Sequence, residues 1–149
     1  MRSVLAWLLL VAMVGSAGCA SFRREARAAR APGFEAKGVE GYWVGRWQDE
    51  ARPGHGGALE CVLTPVGDHL YRAAFRSRWW KVFTSSHDTF LVLTPVRPGE
   101  YLVQGGQDLW LFGGYSVNGR VDGTRFRAVY TVAGRTGVME MERSGQSDP

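Results

Sequence analysis

From Gly41 to Arg143 the chain alternates apolar and polar residues in short runs, broken by turn-forming residues roughly every 8–12 positions. Side chains two apart on a strand share a face, so this period suits strands with one face buried and excludes long helices. The predicted strands are Tyr42–Gln48, Gly57–Thr64, His69–Arg76, Trp79–Thr84, Thr89–Thr94, Glu100–Gln104, Leu109–Val117, Thr124–Val132 and Gly137–Arg143. Turns are expected at Pro65-Val66-Gly67-Asp68, Pro98-Gly99, Gly105-Gly106, Asn118-Gly119 and Gly134-Arg135. Asn118-Gly119 is the strongest of these signals, because a type I′ turn needs two positive φ angles. The 20 glycines in 149 residues are nearly double the roughly 7% norm, which again points to a turn-rich β protein.

The charges fit this alternation. In Thr124–Val132, Phe126, Ala128 and Tyr130 share one face, and Arg125 and Arg127 the other. In Gly137–Arg143, Met139 and Met141 oppose Glu140 and Glu142. A two-residue turn at Gly134-Arg135 sets Arg127 across from Glu142 and Tyr130 across from Met139. A three-residue loop at Pro65-Val66-Gly67 sets Glu60 across from Arg72 and Cys61 across from Tyr71. Such pairs contribute ~0.2–1 kcal/mol each. Cys61 then faces inward as a small apolar residue.

The net charge of +4 is confined to the N-terminal arm. Arg2, Arg23, Arg24, Arg27, Arg30 and Lys37 face only Glu25 and Glu35 before residue 38, and the remainder of the chain is neutral. A neutral body has no basic face for phosphates, so nucleic acid is not an expected partner.

Met1-Arg2-Ser3 followed by an apolar run from Val4 to Val14 and by Gly15-Ser16-Ala17-Gly18 has the layout of a secretory signal peptide and is too short for a membrane span. Ser16-Ala17-Gly18-Cys19 resembles the lipobox of bacterial lipoprotein precursors. The resemblance implies cleavage before Cys19 and acylation of that residue, and Ala20 in place of Asp implies the outer membrane. The alternative is ordinary cleavage after Ala17 or Ala20. The expected domains are a signal peptide (1–18), a lipidated N-terminus and basic linker (19–40), and a β-barrel-like domain (41–149). Within the linker Arg23–Ala31 suits a short helix that stops before Pro32. Its arginines either meet anionic headgroups or serve as a solvated spacer.

Gly41-Tyr42-Trp43-Val44-Gly45-Arg46-Trp47 resembles the Gly-x-Trp opening of lipocalins and related calycin barrels. That resemblance implies that Trp43 plugs one end of an up-and-down barrel beneath an arginine, supplied here by Arg143 or Arg135. With Gly54-His55-Gly56-Gly57, Gly113-Gly114-Tyr115, Phe126–Tyr130 and the closing Met139-Glu140-Met141-Glu142-Arg143, the whole body resembles a group of bacterial exported proteins, a resemblance that carries no activity.

Catalytic signals are weak. A simple meander puts His55 at one end of the sheet and His69 and His87 at the other, which argues against a three-histidine zinc site; no metal or other cofactor is expected. No Gly-x-Ser-x-Gly is present, and Cys61 has no neighbouring histidine in sequence. Glu60, Glu140 and Glu142 turn outward beside arginines. The Gly54–Gly57 run lacks the lysine of a phosphate loop and reads as a flexible connection. Trp79-Trp80-Lys81 either exposes a tryptophan for a surface contact or is covered by the core, a loop and the arginine stems.

The sequence therefore predicts an all-β fold: a small antiparallel up-and-down barrel or strongly curved sheet, lipocalin-like, of about eight or nine strands. The expected function is that of a non-enzymatic exported envelope lipoprotein, membrane-bound through Cys19, that binds a small apolar or lipid ligand. Trp43, Tyr71, Phe75, Phe126, Tyr130, Met139 and Met141 are the candidate lining, or else they fill the interior solid. In that second case the chain is a structural or protein-docking lipoprotein that uses Trp79, Trp80, Lys81 and its arginines on an envelope protein. A hydrolase with histidines at a barrel mouth is the reading disfavoured by these residues.

Overall fold

The computed structural model describes residues 20–79, 83–109 and 113–144. One short helix, α1 (residues 20–28), precedes eight strands: β1 (Gly41–Asp49), β2 (Gly56–Gly67), β3 (Leu70–Trp79), β4 (Phe83–Arg97), β5 (Glu100–Leu109), β6 (Gly113–Val121), β7 (Arg125–Val132) and β8 (Arg135–Arg143). Each strand pairs antiparallel with the next, and β8 returns to β1, so the barrel is closed. The expected all-β, up-and-down, lipocalin-like class is the one found.

Alternation places the core as expected. Trp43, Cys61, Phe75, Leu91, Leu93, Val117, Phe126 and Met141 all face inward and are at most 1% exposed. Arg127 faces outward against Glu140. An eight-stranded barrel is just wide enough to be filled by its own side chains, and over this stretch it is.

Eight strands replace the nine expected, because the two described ends of the expected Trp79–Thr84 strand belong to its neighbours. β3 runs on to Trp79, and β4 begins at Phe83. Ser77 and Ser85, outside the expected strands, are a lumen pair: their hydroxyls lie 2.8 Å apart on facing strands. Asn118-Gly119 and Gly105-Gly106 are not turns either; they lie inside β6 and β5, without positive φ. Gly119 is there for close approach, since a methyl on it would fall 2.2 Å from the Arg127 carbonyl oxygen.

The hairpin registers slip by even numbers, which changes partners but keeps faces. Arg127 faces Glu140 rather than Glu142, and Tyr130 faces Gly137 rather than Met139, because the turn is Ala133-Gly134 (φ 50° and 72°). Glu60 faces Arg76 rather than Arg72, and Cys61 faces Phe75 rather than Tyr71, because β2 continues past Pro65 through a bulge to a turn at Asp68-His69. The sequence Val62-Leu63-Thr64-Pro65-Val66 recurs as Val92-Leu93-Thr94-Pro95-Val96, and both copies behave alike. Each is bulged after its proline, and each proline faces a tyrosine, Tyr71 or Tyr101.

The segment expected as a linker is partly docked. Phe22 and Ala26 on one face of α1, with Ala29 just past its end, pack onto the outer side chains Tyr42, Val62 and Ala74. Glu25 pairs with Arg72, and the Arg30 guanidinium lies 4.6 Å from the Tyr42 ring centroid.

Candidate functional site

The two barrel ends differ. At the end holding the β2–β3 and β4–β5 turns, the Trp43 indole donates to the Val39 carbonyl oxygen at 3.1 Å and meets Phe126 edge-on at 6.2 Å. The Arg143 guanidinium sits 5.1 Å from the Trp43 ring centroid and donates to the Gly38 carbonyl oxygen. Of the two arginines expected there, Arg143 is the partner; Arg135 starts β8 at the opposite end. This end is plugged.

The opposite end is a mouth built from aromatic rings and glycines in alternation. Around the wall run Tyr130 on β7, Gly137 on β8, Trp47 on β1, Gly57 on β2 and Trp79 on β3. Trp47 lies 6.5 Å from Tyr130 and 5.4 Å from Trp79 between ring centroids. The glycines make room for this. A methyl on Gly137 would lie 2.3 Å from the Tyr130 ring, and one on Gly57 would lie 3.1 Å from the Trp47 indole nitrogen. His55 completes the cluster, edge-on to Trp47 at 5.3 Å and to Trp79 at 6.1 Å. Its loop is closed by the buried Asp49 carboxylate, which accepts from the Ala51 backbone N–H at 2.9 Å, and by the Asp49 N–H, which donates to the His55 carbonyl oxygen at 2.9 Å. Gly56, expected in a flexible connection, is thus a wall residue together with Gly57, the expected first residue of its strand.

Across the mouth His87 stacks on Phe75 at 5.4 Å and meets Tyr115 edge-on at 5.5 Å. The expectation that His87 lies at the His69 end is corrected: His87 faces the lumen within β4 on the His55 side, whereas His69 occupies the β2–β3 turn (φ 61°). Asp88, its sequence neighbour, faces outward to Arg72 at 2.9 Å. Among the described residues, no three His, Cys, Asp or Glu side chains gather to hold a metal.

Three ionisable groups at this end are held toward their neutral forms. Desolvation by the Phe75 and Tyr115 rings lowers the His87 pKa below 6.5, against the pull of Asp88, though one side of the imidazole stays open to solvent. Burial, with the nearby Asp49 charge, raises Tyr130 to about 12 and, with Cys61 and Tyr130, raises Tyr115 as well. Trp79 donates from its indole to Ser77 at 3.2 Å. Two further donors have no partner among the described residues: the Trp47 indole N–H and the Thr89 hydroxyl, both buried. Arg135 stands at the rim, and among the described residues the next inward-facing cation is Arg143 at the plugged end.

The wall is incomplete on one side. The β4–β5 ladder reaches from Arg97–Glu100 to Leu91–Gly105 and no further among the described residues. Beyond it β4 stays with β3 and β5 with β6, which leaves His87 and Thr89 beside the parting.

Of the seven candidate lining residues, Trp43, Phe75, Phe126, Met139 and Met141 are buried in the packed interior, Tyr71 is half-buried toward the plugged end, and Tyr130 is half-buried at the mouth. Trp79 is 43% exposed at the mouth. Cys19, Trp80 and Lys81 lie outside the described residues. Sequence reasoning missed Trp47, Thr89, Ser77, Ser85 and Tyr115 as mouth residues. The signal for Trp47 was present, since it lies two positions from Gly45 and four from Trp43 on one strand face.

No family model and no curated protein matches the chain. Among solved structures it is similar to fatty-acid-binding protein 1 of Echinococcus granulosus, at 14% identity, over 73% of this chain and 99% of that one, with a TM-score of 0.43.

Proposed function

We propose that this protein is a non-enzymatic binder of a small, flat, neutral apolar molecule that carries a hydrogen-bond acceptor, held at the open end of the barrel. The observation that carries this reading is the pair of buried donors, Trp47 Nε1 and Thr89 Oγ1, that have no partner among the described residues and stand behind a wall of aromatic rings. An unsatisfied buried donor costs about 1–3 kcal/mol, which an acceptor on a bound ligand would offset. Flat rings suit stacking against Trp79 and Trp47. An anionic headgroup suits the site poorly, because the buried Asp49 carboxylate lies behind the rings and, among the described residues, no cation faces the mouth below the rim. The reading includes export and an acylated Cys19 at the outer membrane, supported by the layout of residues 1–19.

The packed lower barrel favours a second reading, a structural or protein-docking lipoprotein with no ligand. Titration with Nile red, a flat neutral dye, and with palmitate separates the two. Saturable Nile red binding with quenched tryptophan emission, about tenfold weaker in Trp79→Ala, is expected, and palmitate should not compete. Absence of saturable binding, together with a ligand-free mass for protein taken from its own envelope, would overturn the binding reading in favour of docking.

A further inference from the structure

The docking of α1 sorts its charges. Its one carboxylate in the helix, Glu25, turns toward the barrel and pairs with Arg72, while Phe22, Ala26 and Ala29 cover the β1–β3 surface. Arg30 is folded back, donating from Nε to the Ala26 carbonyl oxygen at 2.9 Å and lying over Tyr42. What remains on the outer face is Arg23, Arg24 and Arg27, all exposed and none in an ion pair among the described residues. Ala20, Ala28 and Ala31 leave a shallow depression between these three side chains. The chain from residue 38 onward is neutral, so this face concentrates the excess charge. It also begins directly after the apolar segment Val4–Val14 and Cys19.

From this arrangement we infer that the outer face of α1 is a docking surface for a bilayer containing anionic phospholipid, with the Arg23, Arg24 and Arg27 guanidinium groups against lipid phosphates. Guanidinium forks match phosphate oxygens bidentately, and the alanines between them let a headgroup reach the helix. The barrel, fixed to α1 by Phe22 and by the Glu25–Arg72 pair, is thereby held side-on at the surface. A basic face adds an electrostatic attachment beside an acyl or apolar anchor. This inference does not depend on what the mouth binds.

The test is partition of the full chain onto vesicles of phosphatidylcholine alone or with 30 mol% phosphatidylglycerol (composition chosen on the order of bacterial anionic content). The apolar segment acts equally on both, so the ratio isolates charge. Each arginine near such a surface is worth about a fivefold change, so the three together should favour the anionic vesicles by on the order of a hundredfold at low salt, shrinking as salt rises. Arg23→Gln/Arg24→Gln/Arg27→Gln should abolish the preference with the thermal transition unchanged, and the triple lysine variant should keep most of it. Equal partition of the unaltered chain on both vesicles would overturn the inference, as would a preference that survives in the glutamine variant. So would equally strong arginine-dependent binding to a duplex DNA oligomer.

Discussion

The Arg143 guanidinium lies 5.1 Å from the Trp43 ring centroid, a pairing of the last strand with the first that covers the plugged end of the barrel. Burial lowers the Arg143 pKa, and the ring face and the Gly38 carbonyl oxygen offset that cost. Arg143→Met keeps the stem but loses both interactions. It is expected to cost about 1–2 kcal/mol, read as a lower midpoint in urea with an unchanged slope.

Gly137→Ala should unpack the mouth. Its methyl would meet both the Tyr130 ring at 2.3 Å and the Gln48 carbonyl oxygen at 2.5 Å. The ring can swing away, but the backbone cannot. A loss of about 1–3 kcal/mol is expected, with a red shift in tryptophan emission as Trp47 loses its packing. An unshifted spectrum would show that the ring cluster does not depend on this glycine.

Cys61 is fully buried, and burial pushes its thiol pKa well above 9.0. In a Cys19→Ser chain, a disulfide-exchange reagent should leave Cys61 unmodified in the folded state and react with it only as fast as the barrel opens. Labelling within seconds in native buffer would contradict the burial.

His87 sets a pH dependence. Its folded pKa lies below 6.5, so between that lowered value and 6.5 the unfolded chain holds the proton and the folded chain does not. Stability is therefore complete above 6.5, falls as pH drops through this window, and levels off below the folded pKa. His87→Phe, which keeps a ring against Phe75, should flatten the profile in urea titrations between pH 7.5 and 5.5.

Ala133 holds φ at 50° in the β7–β8 turn, a left-handed conformation that costs an L-residue with a Cβ about 1–2 kcal/mol. Ala133→Asn should raise stability by about 0.5–1 kcal/mol, seen as a higher Tm.

Where neighbours on the chain differ sharply in polarity, the fold could be read directly: Phe126 against Arg127, Met141 against Glu142, Cys61 against Glu60. Trp43 and its arginine were also legible, since a glycine-flanked tryptophan opening a strand and an arginine closing the last one meet when the barrel closes. Register was not, because a slip of two or four residues leaves every face unchanged and is fixed only by turn geometry. Nor could Asn118-Gly119 be told from a turn, since a glycine that admits Ala128 of the next strand looks the same as one that reverses the chain. The mouth was hidden for a related reason: Ser77, Ser85 and His87 read as loop residues until their inward direction is known. Two signals were present but unused, namely the Phe22, Ala26, Ala29 spacing that docks α1 and the repeated Val-Leu-Thr-Pro-Val that gives two hairpins the same bulge.

The parting of β4 from β5 above Leu91 and Gly105 makes the cylinder mechanically uneven. Seven seams are stitched along their length and one only at its lower half, so thermal breathing concentrates there. The barrel should open first on the His87 side, like a cuff with its upper button undone, while Trp43, Phe126 and the plugged floor stay still.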